Sequence, residues 1–405
     1  MKTRLIRRTL CLMLALMMMA ASLTSCSGKN PAVTTSETTE ETTASVPGEL
    51  LEVEEQIKKL DNVQGNIWFN EDEKYQSLIK LVRSQIKGNE NIKGSIIIAT
   101  DDDVLIASRT NMLDRDGKEV TPYTVYEIGS CTKSMTALCI LKLVEKGKLS
   151  LTDTLGDLFP EYSSCAYYEE VKGVTVSNLL HMRSGIRDYL NDPLGFWGDE
   201  TGSILHGDTG ATEASSKAFF EKIKGKIVEQ VFSRKPGCEK DTKYEYSNTN
   251  YVLLAEIIEK KSGKSYKEFI EETVFKPCNM TSTSSMSSGD VQASLPKGGW
   301  YLNNDEAKGD GDVHSSVVDL LKYDRAVFGG HLLKEESMKE LLKPIDGYAC
   351  GWEVQGSTVN HAGSTAGFYT FNFIFEYNGK KLYVIMCAHS GDYTMPQVII
   401  PLLKF

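Results

Sequence analysis

Ser130–Gly147 reads SCTKSMTALCILKLVEKG, and its apolar residues leave no polar stripe. Met135, Leu138, Ile140, Leu141, Leu143 and Val144 surround a helical axis nearly completely, which suits a helix buried at the centre of a protein. Gly147 supplies the stop. An amine within such a helix is costly unless it has a purpose, which singles out Lys133. Ser130 opens the helix directly after Gly129. The Ser130-Cys131-Thr132-Lys133 spacing therefore places hydroxyl and amine on one face, about 5–6 Å apart at Cβ. The same spacing recurs at Ser77–Lys80, Ser84–Lys87 and Ser294–Lys297. The first two fall within an amphipathic helix and the third spans Pro296, so all three read as surface coincidences.

On the N-terminal side, Tyr75, Leu78, Ile79, Leu81, Val82 and Ile86 recur at helical spacing within 72–87. Gly94–Thr100 and Val104–Ser108 then form two strands across the acidic turn Asp101-Asp102-Asp103. From about 130 to 290 the pattern is mostly helical, with a second helix from Tyr251 to Lys261 that stops near Gly263. Phe368–Tyr377 and Lys381–His389 flank Asn378-Gly379, the strongest short hairpin signal. A last helix is expected near Met395 to Leu403. Sheet material at both ends with helices between predicts an α+β architecture: an antiparallel sheet flanked by helices, with an inserted all-helical lobe. The sheet lobe covers about 66–125 and 295–405, and the helical lobe about 126–294.

The first 25 residues carry Lys2, Arg4, Arg7 and Arg8, then an apolar run from Leu10 to Ala21 that is short for a membrane span. Leu23-Thr24-Ser25-Cys26 resembles the bacterial lipobox, in which cleavage leaves the cysteine as an acylated N-terminus. Residues 1–25 are thus expected to be a lipoprotein signal peptide, with Cys26 as the lipidation site. Residues 26–65, rich in Ser, Thr and Glu up to about residue 49, form the expected disordered tether. The product would be extracytoplasmic, anchored to the bacterial cell membrane by its lipid, and monomeric. Net charge is −10, leaving −14 on the body beyond the signal, which argues against a nucleic-acid partner. Seven cysteines fall in the folded part, an odd and scattered set that spells no disulfide framework. Cys139 and Cys387 lie in apolar runs and read as buried small hydrophobes. The six histidines show no ligand spacing, so no metal and no cofactor is expected.

A serine hydroxyl is a weak nucleophile and needs a base beside it. Lysine serves when burial depresses its pKa. Unpaired amides at the head of the Ser130 helix favour an anion forming on an attacked carbonyl. Tyr246-Ser247-Asn248 adds a phenol that can be held as phenolate or relay protons, and an amide able to donate and accept. Tyr189-Leu190-Asn191 and Tyr301-Leu302-Asn303 repeat that spacing, but only Tyr246 stands between Pro236-Gly237 and a helix starting near Asn250. His361-Ala362-Gly363-Ser364 supplies small residues before the hairpin, where a substrate can pair with a strand edge. A backbone N–H there can join that of Ser130 in an oxyanion hole, worth about 10²–10³ in rate per donor.

Taken in order, Ser-x-x-Lys, Tyr-x-Asn and His-x-Gly resemble the class C β-lactamase and penicillin-binding superfamily. The likeness runs from about Asn66 to the C-terminus and includes TVYEIGSCTK (124–133), LLHMRSGIRDY (179–189), YSNTNYVLLAEIIEKKSG (246–263) and KPCNMTSTS (276–284). It implies a β-lactamase/transpeptidase-like fold. It also implies that Ser130 is acylated, that Lys133 and Tyr246 move the protons, and that Asn248 holds a substrate amide. The N–H groups of Ser130 and Ser364 would form the oxyanion hole, beside Gly363, and His361 would face the substrate's carboxylate or assist proton transfer. Where many members carry lysine this chain carries His361, which is mostly neutral near pH 7. That departure is similar to D-alanyl-D-alanine peptidases, D-amino-acid peptidases and esterases of the superfamily. The expected activity is a D-stereospecific carboxypeptidase or esterase on peptidoglycan-type substrates. A β-lactamase is the alternative enzyme, and a penicillin sensor or envelope-binding module without turnover is the non-enzymatic one. Acyl preference is expected to lie in loops such as Asp192–Thr212.

Overall fold

The computed structural model describes residues 55–56, 67–70, 72–87, 93–109, 112–204, 212–285, 290–302, 307–377 and 379–390. The expected signal peptide, Cys26, Asn378 and the helix at 395–403 lie outside the described residues. Gln56, within the expected tether, already belongs to the fold. Its amide donates to Asp102 O (2.9 Å) and accepts from Val104 N (2.7 Å), which holds it at the acidic turn Asp101-Asp102-Asp103.

In chain order the elements that position the site are β1 (Ile67–Phe69), α1 (Gln76–Lys87), β2 (Gly94–Thr100), β3 (Val104–Arg109) and β4 (Tyr126–Glu127). The helices α2 (Thr132–Glu145), α3 (Glu213–Ile223) and α4 (Asn248–Ser262) follow. Then come β5 (Ser284–Ser285), β6 (Val313–Ser315), α5 (Val317–Phe328), β7 (Glu353–Gln355), β8 (Thr358–Ser364), β9 (Phe368–Tyr377) and β10 (Lys380–His389). Seven strands form one sheet in the order β1-β3-β2-β10-β9-β8-β7. The two ends of the chain meet at its middle, where β10 pairs antiparallel with β2 in the register Ile385↔Ile97.

Both faces of that sheet are covered, which is why β2 is buried along its whole length rather than alternating. Ile96 and Ile98 share one apolar cluster with Leu382, Val384 and Met386 and with Leu78, Ile79 and Val82 of α1. Ile97, Ala99, Tyr383, Ile385 and Cys387 point the other way into the main core, with α2 and α5. Each such aliphatic side chain contributes about 1.5–3 kcal/mol on burial.

Among the described residues, the regular structure of the inserted segment is helical save for two short strands. β4 and β5 pair with β6 in a second sheet of order β4-β6-β5, which ties the insert to the C-terminal half. Central to the molecule is α2, whose residues from Thr132 to Leu141 are all buried. Its C-terminus closes on Gly147 at φ +65°, where Gly147 N donates to Val144 O and Lys148 N to Leu143 O. The helix α4 begins three residues before the expected Tyr251. Its first amide, Asn248 N, is taken by the Asp188 carboxyl at 3.0 Å, a long-range cap with no local signature.

Candidate active site

The chain leaves β4, passes Ile128 and turns at Gly129, whose φ of +52° suits glycine. A short 3₁₀ turn, Gly129–Cys131, carries Ser130 just ahead of α2, and Lys133 follows in the first turn of the helix itself. Lys133 is fully buried, and its Nζ lies 2.9 Å from Ser130 Oγ, 2.8 Å from Asn248 Oδ1 and 2.6 Å from Asp310 O. Desolvation depresses its pKa to about 8, against the pull of Asp310 and Asp188. Tyr246 approaches from the start of α4 and donates its hydroxyl to Ser130 Oγ at 2.9 Å. Burial holds that phenol well above its ordinary pKa, so it is a neutral donor, not the phenolate that was one of two expectations.

The amide of Asn248 accepts from Lys133 through Oδ1 and donates through Nδ2 to Asp188 at 3.0 Å. One further N–H and one lone pair remain for a ligand. Asp188 also accepts from Leu190 N, Asn191 N and Asn191 Nδ2 at 2.8–2.9 Å, and so fixes which way the Asn248 amide points. Asp310 is buried beside Lys133, and its carboxyl accepts from Tyr189 Oη at 3.2 Å. Burial raises its pKa well above the carboxylate range.

The third motif lies on β8. The pairing of β7 ends at Asn360, so His361–Ser364 project past it as a sheet edge. That edge is not bare, because the turn carrying Ser130 packs on it. A Cβ on Gly363 would stand 1.9 Å from Ile128 O and 3.1 Å from Ser130 N, and one on Gly129 would stand 2.8 Å from Ser364 N. Only glycine fits at either place, and the close approach gathers the amides of Ser130 and Ser364 at one corner. His361 is buried with both nitrogens committed: Nδ1–H donates to Ala362 O at 2.8 Å and Nε2 accepts from Tyr348 Oη at 3.2 Å. Desolvation, with Lys133 adding to it, pushes its pKa down to about 3. The ring is thus neutral and its polar atoms are engaged, so it brings no positive charge to the site.

Ser130, Tyr246, Asn248, Asp310, His361, Gly363 and Ser364 line a cavity of about 410 Å³, with Lys133 behind Ser130. Its wall includes Tyr189, Asn191 and Leu302, so two of the Tyr-x-Asn repeats set aside in the sequence also border the site. Ser77 and Lys80 are exposed on α1, as expected of a coincidence. His181 is structural, with Nδ1 2.9 Å from Ser177 O. His389, the competing third-motif histidine, is held at Ser294 O by Nε2 (2.8 Å). All seven cysteines of the folded part are free thiols, and Cys139 and Cys387 are buried. Asp188, Asp310 and Glu353 were missed as site residues. Asp188 lies inside a stretch that resembles the superfamily, whereas nothing local marks the other two.

The family model described as Beta-lactamase matches residues 79–397 of this chain. A penicillin-binding protein of Bacillus subtilis (strain 168) is 25% identical over 342 residues, 76% of this chain and 70% of that protein. The crystal structure of FmtA from Staphylococcus aureus superposes with a TM-score of 0.62 at 20% identity, covering 87% of this chain and 95% of the other. D-amino acid amidase from Ochrobactrum anthropi SV3 gives 0.61 at 20% identity, covering 81% and 99%. At such identities the two structural likenesses speak for the fold.

Proposed function

The chain belongs to the Beta-lactamase family and is a serine hydrolase of the β-lactamase and penicillin-binding type, and from that premise we propose that it cleaves D-configured amide or ester bonds of cell-envelope substrates through an acyl-enzyme on Ser130. The observation that carries this reading is the hydroxyl of Ser130 held at 2.9 Å by both Lys133 Nζ and Tyr246 Oη on the wall of an open cavity. A neutral Lys133 spends its two N–H bonds on Asn248 Oδ1 and Asp310 O and keeps its lone pair for the Ser130 proton. As Oγ bonds to the carbonyl carbon, that proton passes to Nζ. The oxyanion forms at the corner where the Ser130 and Ser364 amides meet. Tyr246 hands its proton to the departing amine or alcohol and regains one from the Lys133 ammonium. Water then repeats the sequence on the acyl-enzyme in reverse.

The solved relative that bears the name D-amino acid amidase supports the D-configured class. No lysine or arginine side chain lines the cavity among the described residues, which weighs against a carboxylate-bearing β-lactam as the preferred substrate. The lipobox at Cys26 supports an extracytoplasmic, lipid-anchored location, where such substrates occur. Ser130→Ala is expected to abolish labelling by a fluorescent fluorophosphonate and hydrolysis of D-alanyl esters. Labelling that persists in the variant would sink the assignment, and fast nitrocefin turnover by the unaltered chain would promote the β-lactamase reading instead.

A further inference from the structure

Among the described residues, the charged side chains on the cavity wall are Asp310 and Glu353, both acids. Asp310 is buried and turned to Tyr189, and desolvation raises its pKa. Glu353 differs. It opens β7 opposite Asn360, next to His361 on β8, and is exposed on the wall of the cavity. Among the described residues its carboxyl has no ion-pair or hydrogen-bond partner, and its pKa is raised by desolvation alone, with no cation near it. A side chain can be exposed by area and still be crowded by protein when it stands on a concave surface. The exposure matters here, because it leaves the carboxylate open to a ligand.

A carboxylate without a partner on the wall of a site whose histidine is neutral repels a carboxylate and attracts an ammonium. We propose that Glu353 is a specificity residue that receives a free ammonium of the substrate, so that this cavity takes D-aminoacyl amides and esters with an unblocked amine in preference to acyl peptides that end in a carboxylate. The assignment deepens the hydrolase reading and rests on it for the substrate's reacting bond. It also fits the base, since a cation bound nearby lowers the pKa of Lys133 further and keeps its lone pair available.

Binding and turnover separate the two readings. In the full chain carrying Ser130→Ala, calorimetric affinity for D-alanine amide should exceed that for N-acetyl-D-alanine amide by about tenfold or more, the size of one hydrogen bond to a charged group. Adding Glu353→Gln should reduce that ratio to near one. With Ser130 intact, D-alanine p-nitroanilide should outpace its N-acetyl counterpart in kcat/KM by a similar factor. Equal affinities, or a ratio that Glu353→Gln leaves unchanged, would overturn the ammonium subsite even if both compounds are hydrolysed. Discrimination in binding with no turnover of any D-configured amide or ester would keep the subsite and remove the hydrolase reading.

Discussion

At the scale of single residues, the site depends on how many hydrogens Lys133 carries. Its Nζ has three oxygen neighbours, at Ser130, Asn248 and Asp310, all within 2.9 Å. An ammonium donates to all three and can accept nothing, whereas the neutral amine keeps one lone pair facing the nucleophile. With its pKa lowered to about 8, the base form gains population as pH rises through that value. The expected kcat/KM for a D-alanyl ester therefore climbs about tenfold per pH unit well below 8 and levels off above it. A stopped or continuous assay from pH 5.5 to 9.5 reads this directly, and a flat profile between pH 6 and 9 would contradict a lysine base. Lys133→Ala should lower kcat/KM by about 10²–10⁴, the usual worth of a general base.

At the scale of elements, legibility followed period and length. The β2–β3 and β9–β10 hairpins were readable from apolar runs of six to ten residues bounded by turn residues, and their limits agree within a residue or so with the structure. α2 was readable because an all-round apolar helix has one place to go. β4, β5 and β6 were not, since strands of two or three residues show no period. Neither was the start of α4, because Asp188, sixty residues earlier, supplies the cap. The same reason hid the acids of the site. Asp310 reaches Lys133 across 177 positions and Glu353 acts through its place beside β8, so neither has a neighbour in the sequence to announce it. The motifs gave Ser130, Lys133, Tyr246 and Asn248, which the fold brings together, because those recur at fixed short spacings.

The helix α1 offers a test at this scale. Ile79 is 2% exposed in the outer cluster, while Ser77 two positions away is exposed. Ile79→Ala should cost about 2–5 kcal/mol in denaturant unfolding and Ser77→Ala about 0.5 or less. Equal effects would mean that α1 does not cover the sheet as described.

At the scale of the whole molecule, the joint between helical layer and sheet contains a buried acid that the chemistry does not use. Asp324 of α5 is fully buried and its Oδ1 accepts from Asn372 Nδ2 of β9 at 2.9 Å. Asp324 Oδ2 and Asn372 Oδ1 are both buried and lack a partner among the described residues. A proton on Oδ2 removes the buried charge and turns that oxygen into a donor, while Oδ1 goes on accepting from Asn372. Burial raises the pKa of Asp324 well above its ordinary 3.8, which favours that neutral form. The folded state therefore holds a proton that the unfolded chain releases above about 3.8. Over that window the folded form binds more protons, so this group's contribution is complete at low pH and declines as pH rises toward the raised folded value. Asn at the position mimics the neutral acid, with an NH₂ donor in place of the hydroxyl and no charge to form. Asp324→Asn should match the unaltered chain in thermal stability near pH 3, below the unfolded value, and exceed it by a growing margin from pH 5 to pH 9. Asp324→Ala, which strands the Asn372 amide, should cost about 1–3 kcal/mol at pH 5. An Asp324→Asn protein less stable than the parent at pH 9 would mean that the aspartate is ionised inside the fold, with a cationic partner supplied by some part of the chain other than β9.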